Sequence, residues 1–269
     1  MREPREIVLL ACAGFGLLLV SAIGWMDDHR PLSPWSRLVV HAVAAGWLGG
    51  GFYLSGASGA VAMASFMSAL VLVNVWNFMD GIDGLAASQT VLVAAAFAFL
   101  AGNSLAIHLG LALIASTLGF LPFNFPQARI FLGDVGSGAL GFALALMLGM
   151  SLDAMPPMAW PLAILPLSAF LIDAGLTLFT RMLRGERWWM PHIEHAYQRW
   201  ARCAGRHPPV TMGYAAWTLL MCLGMALLWK TNPRGMEMPV VGCMAIGWGF
   251  WYWLRRCATM HDVNEETNA

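Results

Sequence analysis

Apolar residues in this chain fall into long runs separated by short polar stretches. Residues 7–26, 38–54, 59–79, 85–100, 105–123, 139–152, 157–179, 212–229 and 238–254 are nine such runs. A helix of about 20 apolar residues crosses the hydrocarbon core of a bilayer. The runs show no strand alternation, and no internal repeat organises them. The pattern predicts an all-α, polytopic integral membrane protein of about nine transmembrane helices, folded as one domain over residues 1–269. Polar loops are expected at 27–37, 80–84, 124–138 and 181–210, with a tail at 255–269.

Composition narrows the class further. The chain is 59% hydrophobic and only 11% charged, which excludes an ordinary soluble domain. Its formal net charge is zero, so nucleic acid is not an expected partner. Cys12, Cys203, Cys222, Cys243 and Cys257 are scattered without a C-x-x-C spacing, which argues against a disulfide framework or a zinc site.

Charge placement orients the spans. Odd-numbered spans lead into segments holding Arg30, Arg37, Arg129, Arg181, Arg184, Arg187, Arg199, Arg202, Arg206, Arg255 and Arg256. The opposite side holds Arg2, Arg5, Lys230 and Arg234. Eleven basic residues against four place the first group in the cytoplasm. Four polar clusters then share that face: Asp27-Asp28, residues 74–83, Asp134, and His192 with His195.

The densest cluster is Asn74-Val-Trp-Asn77-Phe-Met-Asp80-Gly-Ile-Asp83-Gly-Leu-Ala86. At helical spacing Asn74, Asn77 and Asp80 share one face. The glycines that follow loosen the backbone and let it approach a ligand. Hydrocarbon tolerates such groups poorly, so protein, water or a bound ion must receive them. A helix cap explains one Asx residue, not four.

These clusters carry a family resemblance. Asp27-Asp28, Asn74-x-x-Asn-x-x-Asp-Gly-x-Asp-Gly-Leu-Ala, Phe131-Leu-Gly-Asp-x-Gly-Ser and His192-x-x-His-x-Tyr-Gln occur in one order over the first 200 or so residues. The chain resembles the polyprenyl-phosphate N-acetylaminosugar-1-phosphate transferases, which include the bacterial translocase making the first lipid intermediate of peptidoglycan. The histidine motif looks most like that of O-antigen-initiating members. Against the family's usual ten or eleven spans, the chain begins at the Asp-Asp helix, without the first two.

The resemblance implies transfer of an N-acetylaminosugar 1-phosphate from a UDP-sugar to polyprenyl (undecaprenyl) phosphate, releasing UMP and initiating a surface glycan such as O-antigen. Both substrates are anions, so Mg²⁺, or Mn²⁺ in its place, is the expected cofactor. Mg²⁺ takes one or two carboxylates plus phosphates and water. Asp134, between Gly133 and Gly136, fits the first ligand, and Asn77 a neutral second one. A simple N-cap for the following helix is the alternative for Asp134.

By resemblance Asp27 and Asp28 act near the lipid phosphate, as nucleophile or as positioning group. Adjacent on a helix, they point in different directions. Asp80 and Asp83 hold nucleotide or sugar, with Asp83 on the base or ribose, and Asn74 and Asn77 add substrate contacts. Phe131 aligns with an aromatic that stacks on uracil; packing is the alternative. His192, His195 and Arg181, with Arg184 and Arg187 nearby, offer donors to phosphate, or the arginines serve topology and lipid headgroups. Asp173, inside a span, is read as the partner of a loop arginine.

Membrane lipid surrounds such a protein, its active site faces the cytoplasm from the inner membrane, and a homodimer is open. Two other classes compete: a catalytically silent relative and a secondary transporter. A transporter's sites belong at mid-membrane, whereas these gather on one rim.

Overall fold

The computed structural model describes residues 4–187, 189–190, 193–231 and 237–268, with side chains as far as Arg256. Among them, every regular element is a helix. In order these are α1 (Pro4–His29), α2 (Pro34–Leu54), α3 (Gly59–Met79), α4 (Leu85–Ala101), α5 (Ser104–Asn124) and α6 (Gly133–Ala154). A 3₁₀ segment (Pro157–Leu167) then leads into α7 (Ser168–Leu183), followed by α8 (Ala196–Ala204), α9 (Pro208–Thr231) and α10 (Glu237–Asn268).

Local sequence sets many of these boundaries. Ser33, Ser58 and Asn103 accept hydrogen bonds from the amides of Ser36, Val61 and Ala106, capping α2, α3 and α5. Gly102, with φ of 63°, ends α4 in the left-handed region. The expected span 157–179 is helical throughout, but Pro161 and Pro166 lack the amide hydrogens an α-helix needs, and its first half is 3₁₀.

All nine apolar runs lie in helical segments, yet the count of nine spans is not supported. Among the described residues six segments are long and apolar enough to cross a membrane: α1, α3, α5, α6, the joined 3₁₀–α7 unit and α9. Helix α4 has only 17 residues. Helix α2 carries Arg37, His41 and several glycines, and α10 runs on into a polar tail. The protein is a polytopic membrane protein with six segments of clear spanning character.

Packing centres on α3, whose broadest contact is with α6, while α2 packs on α3, α1 packs on α6, and α1 and α2 pack on each other. Gly141 permits the closest approach, because a Cβ there would lie 2.8 Å from the Leu72 carbonyl carbon and the Val73 Cα. Small residues at such crossings are how membrane helices gain contact without a hydrophobic driving force. Several buried polar groups pair across helices. Trp76 Nε1 donates to Thr90 Oγ1 at 2.8 Å, and Thr218 Oγ1 to Gln89 Oε1 at 2.5 Å. Apolar side chains such as Leu18, Leu111 and Leu223 remain exposed on the outside, as a lipid-facing surface requires.

The helix ends matter most for function. The C-termini of α1 and α3 and the N-termini of α2, α6, α8 and α9 meet at one end of the bundle. Contacts among Asp27, Arg37, Asn77, Asp83, Asp134 and His207, and between Tyr197 and Phe78, join them there.

Candidate functional site

Asp134 stands at the centre, in the first turn of α6. Its Oδ1 accepts from Asn77 Nδ2 at 2.7 Å, and its Oδ2 from Arg37 Nη1 at 2.7 Å. The same Nη1 reaches Asp27 Oδ2 at 2.5 Å, and Asp27 Oδ1 accepts from the Leu32 amide at 2.6 Å. One guanidinium thus bridges carboxylates from α1 and α6. Arg37 was legible only as one of many cytoplasmic arginines; its position ten residues after Asp27 gave no sign that α2 folds back onto α1.

Asp28 diverges from Asp27. Its Oδ1 accepts from the Asp134 amide at 2.9 Å and its Oδ2 from Val135 at 3.4 Å. Asp28 therefore caps α6 from another helix, placing negative charge at the positive end of the helix dipole. The adjacent pair points in different directions, as expected; Asp28 is engaged by α6, and it, rather than Asp134 as in the alternative reading, caps that helix. Gly133 makes the arrangement possible: its φ is 61°, and a Cβ there would sit 2.6 Å from Asp28 Oδ2.

Asp80 ends α3, its backbone in an irregular conformation with φ −89° and ψ 41°. Burial, and after it the negative charge of Asp134, push its carboxyl up to about 8. Asp80 lies between two cavities. One, of about 290 Å³, is lined by Asp83, Asn124, Phe131, Asp134 and His207. The other, of about 280 Å³, is lined by Arg37, Trp189, Met190, His195 and Gln198. Asn77, Asp80 and Gly81 line both.

The amide group of the first cavity is firmly placed. Asn124 accepts from the Gly84 amide at 3.0 Å and donates to the Ile130 carbonyl at 2.9 Å, tying the loop before α4 to the loop before α6. Phe131, in that second loop, is 76% exposed, so it is not part of the packed core. Asp83 pairs with His207, Nδ1 to Oδ2 at 3.2 Å. His207 lies in the loop ahead of α9, beyond all the recognised motifs, and was missed.

Two other expected residues, Asn74 and Arg181, are placed differently. Asn74 lies one turn deeper in α3 than Asn77, spends its amide on the Leu70 carbonyl at 2.7 Å and lines neither cavity. Arg181 is buried and ion-paired with Glu194 at 3.1 Å and Glu186 at 3.4 Å, so its charge is satisfied within the protein. Arg184 shares both of these glutamates. His192 lies outside the described residues. His195 is buried at the start of α8, stacked between Phe78 and Tyr197, and lines the second cavity.

Asp173 is not the partner of a loop arginine. It accepts from the amides of Ala196 at 2.8 Å and Tyr197 at 3.0 Å, from Tyr214 Oη at 2.7 Å and from Trp251 Nε1 at 3.3 Å. This one carboxylate caps α8 and joins α7, α8, α9 and α10. Tyr197 in turn donates to the Phe78 carbonyl at 3.0 Å, two residues before Asp80. Burial, together with the negative charges of Asp173 and Asp80, keeps the Tyr197 phenol well above its ordinary range, so it remains a hydrogen-bond donor.

The sequence model described as Glycosyl transferase family 4 matches residues 10–151, more than half of the chain. The chain belongs to this family. The matched segment contains Asp27, Arg37, Asn77, Asp80, Asp83, Phe131 and Asp134. Among relatives, the phospho-N-acetylmuramoyl-pentapeptide-transferase of Synechococcus sp. (strain JA-3-3Ab) is 28% identical over 252 residues, covering 91% of this chain and 62% of its own length. A probable undecaprenyl-phosphate N-acetylglucosaminyl 1-phosphate transferase of Bacillus subtilis is 33% identical over 132 residues, 48% of this chain and 37% of that one. The decaprenyl-phosphate N-acetylglucosaminephosphotransferase of Mycobacterium leprae is 28% identical over 201 residues, 65% and 50% of the two chains. The chain thus spans between 37% and 62% of these relatives' lengths.

Proposed function

We propose that this protein transfers an N-acetylaminosugar 1-phosphate from a UDP-sugar to a polyprenyl phosphate, releasing UMP. The observation that carries this reading is the pair of polar cavities that meet at Asn77, Asp80 and Gly81 beside Asp134. Two chambers that adjoin at shared residues suit a two-substrate transfer. Phe131, Asp83 and Asn124 suit the nucleotide of the donor. Arg37, with Trp189 and Met190 nearby, suits a phosphate on an apolar tail.

The donor set also suits a hard divalent cation. Among the described residues no three His, Cys, Asp or Glu side chains gather as a self-sufficient metal cage. Mg²⁺ does not need one, since substrate phosphates and water complete its shell. Half-buried Asp80, beside the charge of Asp134, brings a second carboxyl to the wall the two cavities share. Asp134, supported by Asn77, would hold the ion, and Mg²⁺ or Mn²⁺ would neutralise charge on the diphosphate.

The chain's own residues do the rest. Arg37 holds Asp27 and is placed to receive the lipid phosphate. A phosphate monoester has a second pKa near 6, so it is largely a dianion at neutral pH and needs little base. One of its oxygens attacks the sugar-bearing phosphorus of the donor. The bond from that phosphorus to the bridging oxygen breaks, and UMP leaves. With both Asp27 oxygens already hydrogen-bonded, direct displacement is favoured over an aspartyl-phosphate.

Incubating the purified protein with polyprenyl phosphate and a panel of UDP-amino sugars tests this and identifies the sugar. One donor should yield a lipid diphosphate sugar; no product from any donor would refute the proposal. Initiation of O-antigen or of a cell-wall polymer follows from which sugar is used.

Two predictions arise here. If Phe131 stacks on uracil, Phe131→Ala should raise the KM for UDP-sugar roughly tenfold, in line with ~1–3 kcal/mol for base–aromatic stacking, and Phe131→Trp should restore it. An unchanged KM in the folded variant would remove Phe131 from the site. The raised carboxyl of Asp80 is protonated below about pH 8 in the cation-free protein. A cation favours the ionised form, so Mg²⁺ binding should release a proton and tighten as pH rises towards about 8. A flat affinity between pH 6 and 8 would contradict this.

The arginine distribution supports an inner-membrane location with this rim in the cytoplasm. In a variant retaining Cys203 alone, an impermeant thiol reagent should label that residue only after the cells are opened. Labelling in intact cells would reverse the orientation.

A further inference from the structure

We infer that His207 contacts the nucleoside of the donor, acting as a specificity residue outside all the recognised motifs. The inference rests on the donor-site reading of the first cavity. Residues at the start of α9 grip residue 83 at three atoms. His207 Nδ1 lies 3.2 Å from the Asp83 carboxylate and 3.4 Å from the Asp83 amide, and Thr211 Oγ1 donates to the Asp83 carbonyl at 2.7 Å. The His207 carbonyl accepts from the amides of Val210 at 3.0 Å and Thr211 at 3.1 Å, so helix α9 itself anchors the residue. The two partners are 124 residues apart in sequence.

A histidine needed only as a clasp would have no reason to face a cavity. The His207 side chain is 42% exposed and lines the cavity that also holds Phe131. Whichever tautomer is present, Nδ1 is engaged by residue 83, and Nε2 is the ring edge left for a ligand. The Asp83 carboxylate on the same wall repels phosphate, which favours a neutral polar group. The edge of uracil, with its N–H between two carbonyls, and the ribose hydroxyls both fit that description. Phe131 supplies an aromatic face for the base, and His207 with Asp83 its polar edge.

Asn and Gln separate the two ring nitrogens. His207→Asn places an amide nitrogen near Nδ1 and keeps the Asp83 contact, but removes Nε2. His207→Gln reaches the Nε2 position and gives up the Nδ1 contact. Both variants and the wild type would be purified in detergent, and their affinities for uridine, UMP and UDP measured by calorimetry or competition. Expected is a loss of about tenfold for all three ligands in His207→Asn, within the range of one to two hydrogen bonds, with an unchanged melting temperature. His207→Gln should bind within about threefold of wild type. Wild-type binding by the Asn variant would overturn the inference while leaving the donor site intact. Weaker binding of UDP with uridine unaffected would also overturn it, since the contact would then be to phosphate. A wild-type protein that binds no uridine ligand would remove the donor-site reading itself.

Discussion

Asp134→Asn should lower turnover by about a thousandfold, the equivalent of roughly 4 kcal/mol at ~1.4 kcal/mol per tenfold. The substitution breaks the Arg37–Asp134 ion pair but leaves the start of α6 intact. Asp28 caps α6, so the helix start does not depend on residue 134. An Asn side chain can still meet Asn77, and Arg37 keeps its bond to Asp27. What disappears is the charge that holds a hard cation, and Mg²⁺ dehydrates reluctantly for neutral ligands. Asp27→Asn should also slow turnover, but Mg²⁺ should still promote UDP-sugar binding to it. Titrating Mg²⁺ against donor binding in the two variants distinguishes them. Near-normal turnover in Asp134→Asn with an unchanged Mg²⁺ dependence would remove the metal assignment.

Asp173→Ala should give the largest loss of stability. Two backbone amides, the Tyr214 hydroxyl and the Trp251 indole would all be left facing a void. A buried donor without a partner costs about 1–3 kcal/mol. Such costs do not add fully within one network, so a net loss on the order of 3–5 kcal/mol is expected, as when a buried charge partner is removed. Thermal unfolding in detergent should drop by roughly 6–20 °C, at about 2–4 °C per kcal/mol for a chain of this size. Asp173→Asn should fall between, since it keeps one acceptor oxygen but turns an N–H₂ towards the donors. A melting temperature within about 2 °C of wild type in the Ala variant would show that the four helices do not depend on this carboxylate.

The helices were legible because membrane segments announce themselves by local composition. The cluster from Asn74 to Asp83 was equally plain, since four Asx residues at the end of an apolar run violate what hydrocarbon permits. Pairings between distant segments were not legible. Arg37, Asp28 and His207 act through partners 97, 106 and 124 residues away, and no spacing rule connects them. Arg181 misled for the opposite reason: an arginine in a polar loop looks available, but Glu186 and Glu194 absorb it. Helix α8 lies inside a stretch whose composition reads as a hydrophilic loop. Its signals were present locally, in His195-x-x-Gln198 at the start and Gly205 at the end. Asp173 shows the remaining gap, because a carboxylate in a span demands partners without saying which.

The most direct measurement is UMP release by the purified protein, with each substrate omitted in turn. UMP should appear only when the UDP-amino sugar, the polyprenyl phosphate and Mg²⁺ are all present, in amounts equal to the lipid diphosphate sugar formed. The absence of UMP with every donor tried, or its release without any lipid acceptor, would contradict transfer at the junction of the two cavities.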